Sequence, residues 1–317
     1  MKVPVVGFGC SALTGSSRKT AERLLATAYD NGMRHFDVAR YYGYGDAEGI
    51  LGEFLKTKRS QVTITTKFGI QPPARTSALG FAVRIARRVL RVLPSARRVA
   101  QRSAPSIVKG GAFSAADAQA SLDTSLRELR TDHVEFYLLH DYTVGDQPVD
   151  ELLAFLEATV RAGKIRCFGI GTDIGNVLLA LQRQPKLCSV LQFQNSVLTQ
   201  NLARFLPGTM SGRFVITHGA VGHSSSVVSS FLLAHREKSK EWSEKIGADC
   251  SRPETISALL LNYAAEVNSQ GLVLFSSTKP ETVARNVRAV LQPEFSAAQI
   301  KIFAQLVQED LSPQRTS

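Results

Sequence analysis

The chain has little that would fasten it from outside its own core. Its four cysteines, Cys10, Cys167, Cys188 and Cys250, share no metal-ligand spacing and suggest no pairing, so neither a zinc site nor a disulfide-stapled secreted fold is expected. Long apolar runs are missing as well: stretches such as Ile256 to Ala265 are too short and interrupted to span a bilayer. No leader is read at the N-terminus, because Met1–Gly7 runs straight into strand-like sequence, and a cytoplasmic location is expected. Repeats of solenoid period and low-complexity linkers are absent. Acidic residues fail over one long interval, with none between Glu53 and Asp117. Inside it, Arg75 to Lys109 holds eight arginines and one lysine, against a net charge of +11 for all 317 residues. The basic character therefore belongs to one segment and not to the fold.

What is present is the material of a large globular core, with 44% hydrophobic and 21% charged residues. Short apolar runs at Val3–Gly9, Arg34–Asp37, Val62–Thr66, His133–His140, Cys167–Gly171, Val190–Gln194, Phe214–His218 and Gly271–Phe275 read as strands. Helical spacing falls between them, at Thr20–Asn31, Ala47–Lys56, Ala115–Arg130, Val149–Ala162, Ile174–Arg183, Glu254–Asn268 and Pro280–Leu291, with an extra helix at Ala297–Asp310. The helix after the seventh strand looks delayed, leaving a long polar connection that contains Trp242. This alternation predicts a single-domain α/β fold over residues 1–317, a closed (β/α)8 TIM barrel. An open doubly wound sheet is the competitor, but it would gather its reactive residues at one switch point rather than at several strand ends.

Polar residues close three of the apolar runs: Asp37, Lys67 and His140. Tyr42 follows Asp37 by five residues. Parallel strands would bring all four side chains out at one end of the barrel. A tyrosine with its ordinary pKa of about 10 needs a neighbouring cation to stabilise its phenolate, and a lysine held charged by an aspartate provides one. A histidine on the next strand can orient the substrate oxygen while the phenol gives its proton. Such a set protonates an oxyanion as it forms, which is what hydride delivery to a carbonyl requires.

In order along the chain, Gly7-Phe8-Gly9, Phe36-Asp37-Val38-Ala39-Arg40-Tyr41-Tyr42-Gly43, Leu51-Gly52, Thr66-Lys67-Phe68, the Ser121–Leu126 run leading to His140, Gly163-Lys164-Ile165-Arg166 and Lys279-Pro280-Glu281 resemble the motifs of the aldo-keto reductase superfamily. The resemblance implies a barrel enzyme that binds NADP, or NAD, at the carboxyl ends of its strands. It implies Tyr42 as general acid, Asp37 and Lys67 as its tuning pair and His140 as the carbonyl-orienting group. For the cofactor it implies Gly9, Cys10, Thr172, Gln192, His218 and Gly219, with Ser276, Ser277, Thr278, Thr282, Arg285 and Asn286 around the phosphates. Two departures stand out. The family's Ser-Asn pair after strand five is Gly171-Thr172 here, and Thr282 occupies a position where many NADP-preferring members have an arginine, leaving Lys279 or Arg285 to meet the phosphate.

Residues 71–111 form an insertion after strand three. Arg84, Arg87, Arg88 and Arg91 share one face of an expected helix over Leu79–Leu93. A solvated cover and a surface for an anionic partner or membrane both fit, whereas nucleic acid does not, because no recognition motif accompanies the arginines. No metal site is read, and a monomer is expected. The reading is an NAD(P)H-dependent oxidoreductase acting on a small carbonyl or alcohol. A nicotinamide-binding regulatory barrel with slow turnover would use the same site residues.

Overall fold

A computed structural model of the chain describes residues 6–13, 17–72, 111–145 and 149–311. Eight parallel strands close into a barrel in sequence order: β1 (Val6–Gly9), β2 (His35–Asp37), β3 (Thr63–Phe68), β4 (Val134–His140), β5 (Ile165–Gly171), β6 (Val190–Gln194), β7 (Phe214–His218) and β8 (Leu272–Phe275). Closure is made by β1 against β8, where Val6 pairs with Val273 and Phe8 with Phe275. The expected fold is the fold observed. The strands read as nearly continuous apolar runs because both of their faces are covered, by helices outside and by side-chain layers inside.

Among the described residues the helices are α1 (Arg18–Asp30), α2 (Asp46–Leu55), α3 (Ala115–Leu129), α4 (Asp150–Arg161), α5 (Ile174–Arg183), α6 (Gly222–Ala234), α7 (Arg236–Ile246), α8 (Pro253–Val267), α9 (Pro280–Leu291) and α10 (Ala297–Leu311). Helix starts carry local chemistry: Ser17, Ser114 and Asp173 each accept an N-terminal N–H, and Ser114 with Asp117 forms a capping box. Gly52 lets α2 lie directly on the end of α3, since a Cβ there would come within 2.4 Å of the Glu128 carbonyl oxygen.

One expectation is corrected. The long polar connection after the seventh strand folds as α6 and α7, two helices broken at His235. Trp242, on α7, is buried against Phe231 of α6 and Phe303 of α10, and its indole N–H donates to Asp310 at 2.8 Å. Val228, Leu232, Trp242, Ile246, Leu259 and Phe303 belong to a second core beside the barrel. The basic stripe Arg84, Arg87, Arg88 and Arg91 lies outside the described residues. Among those that are described, no helix is long and apolar enough to cross a membrane.

Candidate active site

Asp37 ends β2, Lys67 stands one residue before the end of β3, and His140 ends β4. Tyr42 comes from the loop that follows Asp37, at the head of a 3-10 turn, Tyr42–Gly45. Glu48, in the first turn of α2 and fully buried, anchors that loop. Arg40 Nη1 donates to its Oε2 at 2.7 Å, and Thr66 Oγ1 donates to its Oε1 at 2.6 Å. A single carboxylate thus ties the tyrosine loop to the strand that carries the lysine.

The four side chains meet. Lys67 Nζ donates to Asp37 Oδ1 at 2.5 Å and to the Val38 carbonyl at 3.2 Å, and it reaches the Tyr42 hydroxyl at 3.5 Å. Burial works most strongly against a charged lysine, but Asp37 and Tyr42 together, through charge and hydrogen bonding, outweigh it and the ammonium pKa is raised. The other oxygen of Asp37 accepts from Gln192 Nε2 at 2.8 Å. Gly171 pairs with Gln192 across β5 and β6, and a Cβ on it would stand 3.0 Å from Gln192 Oε1. The glycine therefore leaves the amide the room in which it turns to Asp37.

Burial raises the Tyr42 phenol above its ordinary value, and the nearby Lys67 charge does not reverse this. Sequence reasoning anticipated the lysine's pull but not the stronger opposing effect of desolvation. His140 meets the Tyr42 ring edge-on, with centroids 5.8 Å apart. Its pKa falls to about 3, through burial first and the Lys67 charge second, so the imidazole is neutral near pH 7. A protonated phenol and a neutral imidazole can together hold and protonate an oxygen placed between them.

A cavity of about 590 Å³ opens over this group. Of the residues expected at a cofactor, Gly9, Thr172, Gln192, His218, Gly219 and Ser276 line it. Cys10 does not: its side chain is buried in the core and its thiol leans on the Phe8 carbonyl at 3.8 Å. Ser277, Thr278, Thr282, Arg285 and Asn286 follow Ser276 into the start of α9, outside that cavity. There Ser277 Oγ accepts from the Lys279 N–H at 3.1 Å, and Arg285 pairs with Glu254 at 3.4 Å. Ser11, Asp141 and Gln194 also line the cavity, as do Val221 and Gly222 at the start of α6. Asp141 follows His140 directly, so its place at a strand end was the signal that could have found it.

The sequence model described as Aldo/keto reductase family matches residues 5–308. Aldo-keto reductase yakc [NADP(+)] of Schizosaccharomyces pombe is 26% identical over 182 residues, 56% of this chain and 44% of that protein. L-Galactose dehydrogenase of Arabidopsis thaliana is 26% identical over 318 residues, 93% of this chain and 86% of that one. The holo form of an aldo-keto reductase from Bacillus halodurans superposes with a TM-score of 0.69 at 22% identity, covering 96% of this chain and 92% of its own.

Proposed function

Because the chain belongs to the Aldo/keto reductase family, we propose that it is an NADP-dependent oxidoreductase that interconverts a carbonyl compound and its alcohol, with Tyr42 as the proton donor. The observation that carries this reading is the convergence of Asp37, Tyr42, Lys67 and His140 under one cavity. When bound, the nicotinamide supplies the hydride. The residues present fit such a group. A carboxamide needs one acceptor and one donor, and Gln192 on β6 and Thr172, one residue past β5, offer them side by side. Backbone N–H groups and hydroxyls at the start of α9 suit phosphates.

The chain's own part is to hold an oxygen and move a proton. His140, neutral, orients the substrate oxygen by hydrogen bonding, and the Tyr42 hydroxyl donates its proton as negative charge develops there. Lys67 then faces the phenolate, fixed in aim by Asp37 and the Val38 carbonyl. In the oxidation direction the same phenolate takes the proton back. NADP is favoured by the name of the fission yeast relative. Lys279 and Arg285 would meet its extra phosphate, since an exposed pair such as Arg285–Glu254 is weak and exchanges partners readily.

Replacing Tyr42 with phenylalanine removes the donor and spares the walls of the cavity. Tyr42→Phe is expected to keep NADPH affinity, measured by cofactor fluorescence, while turnover falls about 10²- to 10⁴-fold. Tyr41→Phe serves as the neighbouring control and should lose far less. Near-normal turnover of Tyr42→Phe would remove the tyrosine from the mechanism.

A further inference from the structure

The strands β6, β7 and β8 are successive neighbours in the closed barrel. Gln192 on β6 and Thr172 beside it suit a carboxamide, while the start of α9, which follows β8, suits phosphates. A cofactor held at both places has to cross the end of β7. That end is His218, which lines the reactive cavity. Side chains alternate along a strand, so His218 shares its face with Ile216, which packs with Phe136, Leu138, Val190 and Leu272 of β4, β6 and β8. The imidazole therefore stands at the mouth, on the inner face of the barrel. Its ring makes no hydrogen bond or ion pair among the described residues.

The two forms of the cofactor differ in charge at the reacting ring. The oxidised nicotinamide is a cation and the reduced ring is neutral. A neutral imidazole beside that ring tolerates either form, whereas an imidazolium repels only the oxidised one. We propose that His218 is a specificity-determining residue for the oxidation state of the cofactor: neutral, it accepts both forms; protonated, it disfavours NADP+ and leaves NADPH.

The charged and titratable groups that line the cavity with His218 are Asp37, Tyr42, Lys67, His140, Asp141 and Asp173. His223, in the first turn of α6, is exposed. Enclosure lowers the His218 pKa from its ordinary value, against the pull of Asp37 and together with the push of Lys67. The ring is therefore neutral at pH 8 and charges only in acid. A charge on His218 is also felt at His140, so it reaches the place where the reacting oxygen is held. Coupling between two sites is reciprocal: bound NADP+ makes His218 harder to protonate, and bound NADPH does not.

The inference rests on the NADP-dependent reading above, and the test separates the two. Dissociation constants for NADP+ and NADPH are measured by calorimetry, in the cold, at pH 8 and at pH 5. The phosphates are common to both cofactors, so their own titration and their attraction to an imidazolium cancel in the ratio of the two constants. For the unmodified protein, Kd for NADP+ divided by Kd for NADPH is expected to rise about 3- to 10-fold from pH 8 to pH 5, as one like charge comes to oppose another at close range. His218→Phe and His218→Gln are neutral at both pH values, and in them the ratio should not rise. A ratio that is constant with pH in the unmodified protein overturns the inference. So does a rise of the same size in either variant, which would place the effect on Asp141 or Asp173 instead. Failure of the unmodified protein to bind either cofactor at pH 8 overturns the NADP-dependent reading, and this inference with it.

Discussion

At the scale of single residues the site is governed by desolvation as much as by charge. His140, with its pKa near 3, should contribute no titration between pH 5 and 9. Tyr42, raised above its ordinary value, stays protonated through neutrality. Reduction should therefore be flat from about pH 5 to pH 9, while oxidation, which needs the phenolate, should climb with pH past about 10. An inflection near pH 6.5 in the reduction profile would show that His140 titrates after all. The bond from Gln192 to Asp37 gives this a second readout. Removing the amide in Gln192→Leu leaves the carboxylate less neutralised, and the Asp37 charge already pushes the phenol upward. At saturating cofactor, the oxidation profile of that variant should move to higher pH. A change confined to cofactor affinity would mean that Gln192 serves the cofactor alone.

At the scale of elements, helices with a broad apolar stripe were legible and narrow ones were not. α3 shows Ala118, Leu122, Ser125 and Leu129 inward, and its extent was read within a residue. α6 is serine-rich with almost no separation of polar and apolar faces. α7 is mostly charged and buries only Ser239, Trp242 and Ile246. Both are stabilised by packing rather than by pattern, in the second core around Trp242. Trp242→Ala should cost about 3–5 kcal/mol, measured by chemical denaturation, because the cavity left among α6, α7 and α10 cannot close and Asp310 loses the indole N–H. A loss below about 1 kcal/mol would mean that these helices do not share a cooperative core with the barrel.

At the scale of the whole molecule, acid should be the condition that unfolds it. His35 lies inside the barrel, 0% exposed, with its two ring nitrogens facing the hydroxyls of Thr63 and Thr65 at 2.8 and 3.1 Å. Burial lowers its pKa to about 4, against about 6.5 in the unfolded chain. Between those values the unfolded state binds more protons, so stability is full above about pH 6.5 and is lost as pH falls towards 4. His35 alone should take about 2–3 kcal/mol between pH 7 and pH 4.5, and His140 acts in the same direction. Urea denaturation at the two pH values measures it, and His35→Asn should flatten the difference. An equal acid loss in that variant would place the sensitivity elsewhere.

The barrel could be read from the chain because alternation of strands and helices is a local property, repeated eight times. The four residues of the candidate site were legible for a related reason: three of them close apolar runs, and parallel strands necessarily deliver their ends to one face. What no local pattern carries is the distance between residues far apart in sequence. Gln192 and Asp37 are 155 positions apart, and only closure of the barrel brings amide to carboxylate. The phenol's raised pKa is likewise a property of the enclosed site, since desolvation depends on everything that surrounds a group. Asp141, with its left-handed backbone, sits one residue past β4, where its N–H still donates to the Gly171 carbonyl, a pairing that only the closed barrel makes. Periodicity tells which face of an element is buried; tertiary structure alone decides against what.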